Sequence, residues 1–291
     1  MSLPAGATRS STTLGEILTL RTTNGTAVVA LHGATVISFI PSGGREVVFT
    51  SPTATIAGNK PIRGGIPLCG PWFGPHPHVA TAPVHGLLRQ RLWRLDRVES
   101  DGEHLVATLV LDLPAEPALG WVHQARATAT VTVGATLAVE LTMRNTGSTP
   151  FLLSGALHSY WAVSDVRQAR VEGLQDRAWI DFTPGGGALR RETAATVSLT
   201  GEAARFYRSC DPVRLVDPGW NRALALRSWG AADTVVWNPW ERSAAAMADM
   251  GAAWSGFLCV EQANIPASGV MLPPAHSHHL GVEVAVETLA G

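Results

Sequence analysis

Apolar and polar residues alternate with period two through most of this chain, and that restricts it to strands. Successive side chains of a strand point to opposite faces, so "QARATATVTVGATLAVELTMRN" (residues 124–145) reads as a long hairpin turning near Gly134. "TAVVALHGATVISFI" reads as two strands bent at Gly33, and "HLVATLVLDL" as another. Further strands are expected at 92–99, 151–157, 195–200, 213–217, 222–229, 234–237, 257–263 and 278–287. Turn chemistry separates them, as in "PSGGRE", "ESDGEH" and "RNTGSTP". One short helix is expected around "RSAAAMADM". Strands at this spacing with almost no helix indicate an all-β, antiparallel sandwich or barrel. "FTPGGGALRRET" is the loosest stretch, but the strands on either side look alike, so we read one domain over 1–291 with a flexible start over 1–15.

Composition narrows the function. Hydrophobic residues make up 46% and charged residues 15% of the 291 positions, enough for a large core and too apolar for disorder. The formal net charge is −1 with no basic run, which argues against nucleic acid or an anionic membrane as partner. Cys69, Cys210 and Cys259 are far apart and form no CxxC, so neither a disulfide framework nor a cysteine zinc site is indicated. The polar start lacks a signal-peptide apolar stretch, and no run approaches ~18 apolar residues. The expectation is a cytoplasmic monomer that takes a small molecule.

Chemistry-bearing residues cluster in loops rich in glycine, proline and tryptophan. These are "IRGGIPLCGPWFG" (62–74), "VHGLLRQRLW" (84–93), "ALHSYWAVSD" (156–165), "VVWNPWE" (235–241) and "CVEQANI" (259–265). Glycine lets backbone approach a ligand closely, and tryptophan offers a flat apolar face to the C–H side of a sugar. In this order the five segments resemble those of the aldose 1-epimerase, or galactose mutarotase-like, superfamily. More narrowly they are similar to its glucose-6-phosphate 1-epimerase branch, with the resemblance running from about residue 25 to 287.

That resemblance implies a large antiparallel β-sandwich and a mutarotase that interconverts α and β anomers by ring opening, with no cofactor and no metal. It implies Glu261 as the base and His158 as the acid. The residue types suit proton transfer near neutral pH. Glu261 follows the apolar "FLCV", where partial desolvation raises a carboxyl pKa, and an imidazole titrates near neutrality. The resemblance also implies His85 on the sugar hydroxyls, Arg63 and Arg89 on a 6-phosphate, and Trp237 and Arg205 in the substrate site. Guanidinium forks match phosphate oxygens, and few neighbours of Arg63 in sequence could neutralise it. The alternative for each arginine is a buried carboxylate partner such as Asp165 or Glu261. Lys60 could add to a positive mouth, or simply be solvated.

Departures from the family pattern fall in the expected sugar pocket. Ala204, in "GEAARFY", stands where relatives carry an aspartate, with Asp233 or Asp249 as candidate substitutes. Leu87 and Gly70 replace aromatic residues. Trp72 and Trp240 could also stack on sugar, whereas Trp93 and Trp229 read as packing residues. The pairs His76/His78 and His276/His278 have strand spacing that a metal could use, but lack an accompanying ligand cluster and read as loop histidines. The departures leave open an unphosphorylated aldose as substrate. A carbohydrate-binding domain on the same fold and a metal-dependent β-barrel enzyme are the further readings; a pure binder has no need of both His158 and Glu261.

Overall fold

The computed structural model describes residues 3–183 and 186–289. Among the described residues almost every regular element is a strand, and every pair of strands is antiparallel. The expected hairpin is Ala125–Val133 against Leu137–Asn145, with Gly134 in the turn. The segment bent at Gly33 is Gly25–Ala30 against Thr35–Pro41. Among the described residues the α-helix is one short piece, Trp240–Ala245, which starts before the expected stretch at 242–250 and ends within it.

The strands form two large sheets. A nine-stranded sheet runs from Thr196–Ser198 through Arg222–Trp229 and Ser277–Thr288 to Arg94–Ser100. An eight-stranded sheet runs from Leu189–Arg191 through Ala178–Asp181, Ala203–Tyr207, Asp233–Asn238, Phe257–Asn264 and Gly155–Leu157 to Leu68–Cys69. Tyr160–Ala162 pairs with the other end of Phe257–Asn264. The main apolar core takes Leu258 and Val260 from the second sheet and Leu280, Val282 and Val284 from the first, which makes the pair of sheets a sandwich. Phe257–Asn264 is buried along its whole length, the mark of a strand covered on both faces.

The beginning of the chain differs from expectation. Ala7–Thr12 is a strand paired in register with Gly15–Arg21, at the edge of a four-stranded sheet. Its polar, exposed side chains hide the pattern, because only Ala7 is buried. Within the loose stretch 182–193, Pro184 and Gly185 lie outside the described residues, while Leu189–Arg191 pairs with Ala178–Asp181.

Candidate active site

Strand register brings His158 and Glu261 together. On Phe257–Asn264, period two sends Leu258 and Val260 into the main core and turns Cys259 and Glu261 to the opposite face. Across from it, Leu157 pairs with Gln262 and Tyr160 with Cys259. The same register places His158 directly opposite Glu261, where cross-strand side chains meet. His158 Nδ1 stands 3.3 Å from Glu261 Oε1. On the other flank Val235 pairs with Glu261, and Phe206 with Val235. Phe206, Val235, Glu261 and His158 therefore form one row across the sheet, and all four line a cavity of about 660 Å³. That volume is in the ~300–1,000 Å³ range of small-molecule sites.

Burial sets the electrostatics of the pair. It pushes Glu261 well above the usual carboxyl range, with the Arg89 charge pulling the other way. It pushes His158 well below the usual imidazole range, helped by His85 and by the charges of Arg89 and Arg63. Both shifts favour neutral groups, so the resting pair holds one proton, on the carboxyl. His158 Nδ1 and Glu261 Oε2 are sealed from solvent without hydrogen-bond partners, so Nε2 and Oε1 are the polar atoms left to face the cavity. Tyr160 stacks parallel on the imidazole at 4.9 Å and fixes its plane.

His85 is held by its own loop. Its backbone N–H donates to Gly74 O at 2.7 Å, and Gly74 N–H donates to His85 Nδ1 at 3.1 Å. With Nδ1 accepting, the neutral ring carries its proton on Nε2. Burial, then the charges of Arg89 and Arg63, lower its pKa to about 3, so it is a neutral hydrogen-bond donor at ordinary pH. The residue has φ +64°, an uncommon conformation for a non-glycine that the two bonds to Gly74 hold. Gly86 follows at φ +77°, and a Cβ there would lie 2.0 Å from Gly70 O, so this turn admits only glycine.

The two cavity arginines differ. Arg63 donates from Nε to Asp249 Oδ1 at 3.1 Å and from Nη1 to Tyr160 Oη at 3.4 Å. Its counter-charge is thus Asp249, and not the Asp165 or Glu261 considered from sequence; Asp165 is taken by Arg167. Arg89 donates from Nη2 to Val84 O at 2.9 Å, and its Nε is buried without a partner. Among the described residues no carboxylate lies within ion-pair distance of Arg89, although its charge bears on Glu261.

Arg205 is not in the cavity. Its neighbours Ala204 and Phe206 line the wall, so strand alternation turns Arg205 to the other face, where it sits 4.9 Å over the Trp179 ring and 3.8 Å from Glu192. Trp237 lines the cavity, edge-on to His158 at 5.6 Å. Trp72 and Trp240 do not: Trp72 donates to Pro83 O, and Trp240 packs on Trp254. Trp93 is core and donates to Leu88 O. Lys60 is exposed and does not border the cavity. Asp233 is sealed beneath the wall, bonded by Ser268 Oγ and the Ile265 N–H, and cannot replace an acid at Ala204.

The paired histidines form no metal-ligand group among the described residues, and His278 lies in the strand Ser277–Thr288, not in a loop. His76 Nδ1 accepts from the backbone N–H groups of His78 and Val79, and His278 contacts Asn264. The one tight trio among the described residues is His158, Cys259 and Glu261, whose ligand atoms lie within 4.8 Å of one another. Sequence reasoning missed the apolar walls, Phe73, Phe182 and Val235, and the Arg63–Asp249 pair; strand parity is the signal for the walls, and nothing local signals the pair.

A two-sheet antiparallel sandwich with a buried imidazole–carboxyl pair lining a cavity of small-molecule size is the architecture of the mutarotase class. Residues 16–284 match the family described as aldose 1-epimerase. A protein of Cenchrus ciliaris provisionally named glucose-6-phosphate 1-epimerase is 32% identical over 257 residues, covering 82% of this chain and 75% of that one. One of Escherichia coli K12 with the same provisional name is 30% identical over 239 residues, covering 81% and 79%. The crystal structure of the provisionally named mutarotase YeaD of Salmonella typhimurium superposes with a TM-score of 0.90 at 26% identity, covering 99% of this chain and 95% of that one. The chain belongs to the aldose 1-epimerase family, a family of isomerases.

Proposed function

We propose that this protein is a mutarotase that interconverts the α and β anomers of a hexose 6-phosphate, glucose 6-phosphate being the nearest candidate. The observation that carries the reading is His158 directly across the strands from Glu261, 3.3 Å apart and open to a cavity with two guanidinium groups. The two oxygens that exchange protons in mutarotation, the C1 hydroxyl and the ring oxygen, share one carbon. Two acid–base groups in contact suit such a pair of oxygens.

The chemistry needs one proton on the pair. Transfer from carboxyl to imidazole gives the working form, with Glu261 as base and His158 as acid. Glu261 takes the proton of the C1 hydroxyl, the C1–O5 bond breaks as the C1 carbonyl forms, and O5 takes a proton from His158. Rotation about C1–C2 presents the other face of the aldehyde. O5 then attacks C1 and returns its proton to His158, while the new C1 hydroxyl takes one from Glu261. His85 donates from Nε2 to the bound sugar, Trp237 closes one side, and Arg89, with the free edge of Arg63, holds the phosphate. Each positioned acid or base contributes ~10²–10⁴-fold.

A second reading, an aldose 1-epimerase for unphosphorylated sugar, is favoured by the Asp249 carboxylate, which already neutralises Arg63. Polarimetric relaxation of α-glucose 6-phosphate and of α-glucose separates the two. Faster catalysed relaxation of the phosphate is the expected result. Preference for glucose would support the second reading, and no acceleration of either would leave a sugar-binding domain.

A further inference from the structure

The cavity is polar on one side and apolar on the other, and the division follows the sheet. From Glu261 in one direction along the row stands His158, with His85, Arg63 and Arg89 beyond it; both arginines bear on the charge state of both histidines. In the other direction stand Val235 and then Phe206. Strands ~4.8 Å apart put Phe206 about 10 Å from Glu261, the far side of one sugar ring. Ala204, one pleat along from Phe206, continues this wall, and the Phe182 ring packs on Phe206 at 4.3 Å. Phe73 stands between the wall and His85, 6.1 Å from Phe206 and 4.6 Å from His85. Trp237, the strand partner of Ala204, bounds the wall with its flat ring and carries, among the described residues, the one side-chain N–H beside it. Arg205, the one charged residue between Ala204 and Phe206, faces away.

Sugar geometry gives that division a meaning. C1 of a pyranose is bonded to O5 on one side and to C2 on the other. If O5 faces His158, then C5 and the C6 phosphate beyond it lie on the arginine side, and C2 is turned to Val235, Phe206 and Ala204. We infer that the site does not read the C2 hydroxyl, and that its substrate class includes hexose 6-phosphates that are deoxygenated or carry an apolar group at C2, with Ala204 and Phe206 as the specificity-determining residues. This inference rests on the mutarotase reading for its orientation of the ring.

The magnitude makes it decidable. A site built to bond a substrate hydroxyl rejects the analogue lacking it by ~10⁴–10⁵, whereas an apolar wall discriminates by ~10² at most and in the opposite sense. The test compares 2-deoxyglucose 6-phosphate with glucose 6-phosphate in catalysed kcat/KM, corrected for spontaneous relaxation, and in affinity for the Glu261→Gln variant by calorimetry. The expected result is that the deoxy sugar comes within about tenfold of glucose 6-phosphate, or exceeds it, in both; a loss beyond about tenfold in either overturns the inference. Ala204→Asp, or Ala204→Ser should the acid prevent folding, is expected to move the ratio at least tenfold toward glucose 6-phosphate, and an unchanged ratio overturns it. The affinity ratio reports on the wall even if neither sugar is turned over, the outcome that would sink the mutarotase reading instead.

Discussion

Arg63 donates to Asp249 across 186 residues of sequence, so the arginine with no neutralising neighbour in its glycine-rich loop has its carboxylate in the structure. Arg89, on the neighbouring loop, has only the Val84 carbonyl. The two arginines of one cavity are therefore not equivalent, and the difference can be measured.

Arg89→Ala is expected to raise KM for a hexose 6-phosphate more than Arg63→Ala does. A lost hydrogen bond between charged groups costs about 1.5–3 kcal/mol, roughly ten- to a hundredfold, and Arg89 has no carboxylate to keep it occupied. Steady-state kinetics of the two variants check this. Equal KM values for wild type and Arg89→Ala would remove Arg89 from phosphate binding.

The pH profile of kcat/KM follows from the directions of the two shifts. In the proposed mechanism the pair works with one proton. As pH falls through the lowered His158 pKa, both groups hold a proton and the base is lost. As pH rises through the raised Glu261 pKa, neither does and the acid is lost. The expected profile is a broad plateau whose acid limb lies below ~6.5, the ordinary imidazole value. Free glucose should be run beside the phosphate ester, whose own second ionisation near ~6 would otherwise be mistaken for an enzyme group. An acid limb at ~6.5 with both sugars would contradict a buried, neutral His158.

Glu261→Gln should be more stable than wild type at neutral and alkaline pH. The folded pKa of Glu261 is raised, so above the unfolded value of ~4.3 the folding chain must take up a proton, and stability falls as pH rises until the folded pKa is passed. Glutamine removes that linkage. Calorimetric scans at several pH values should show a Tm gain that grows between about pH 5 and 8, at about 2–4 °C for each kcal/mol removed. A variant less stable than wild type across that range would mean the carboxylate is held charged, as a partner of Arg89.

Gly86→Ala should destabilise the loop that carries His85. Strain at positive φ and the clash with Gly70 O together cost about 2–4 kcal/mol. Gly43→Ala is the control: it has a similar φ of +68° but nothing within 4 Å, and should cost only about 1 kcal/mol. Equal losses in chemical denaturation would show that the turn can relax.

Much of the architecture is readable in the sequence where one physical rule suffices. The long hairpin about Gly134 follows from alternation over many residues, and the strand carrying Glu261 from the short apolar run "FLCV" that begins it. Short strands such as Arg170–Glu172 and Ala203–Tyr207 have too few residues to show a period. For Arg205 the strand's existence is less the difficulty than its parity: one residue of register decides whether Ala204 or Arg205 faces the cavity. Asp249, a candidate stand-in for a missing acid on sequence grounds, instead holds Arg63, a contact that no local pattern encodes. His158 and Glu261 are identified by resemblance, and the register of Leu157 with Gln262 supplies the reason they meet.

Anomer exchange of glucose 6-phosphate, followed by magnetisation-transfer NMR with wild type, Glu261→Gln and His158→Ala, tests the acid–base pair most directly. Fast exchange is predicted with wild type and a loss of ~10²-fold or more in each variant, with all three proteins folded. Exchange in either variant as fast as in wild type would contradict this, because the pair could not then be the groups that move the protons.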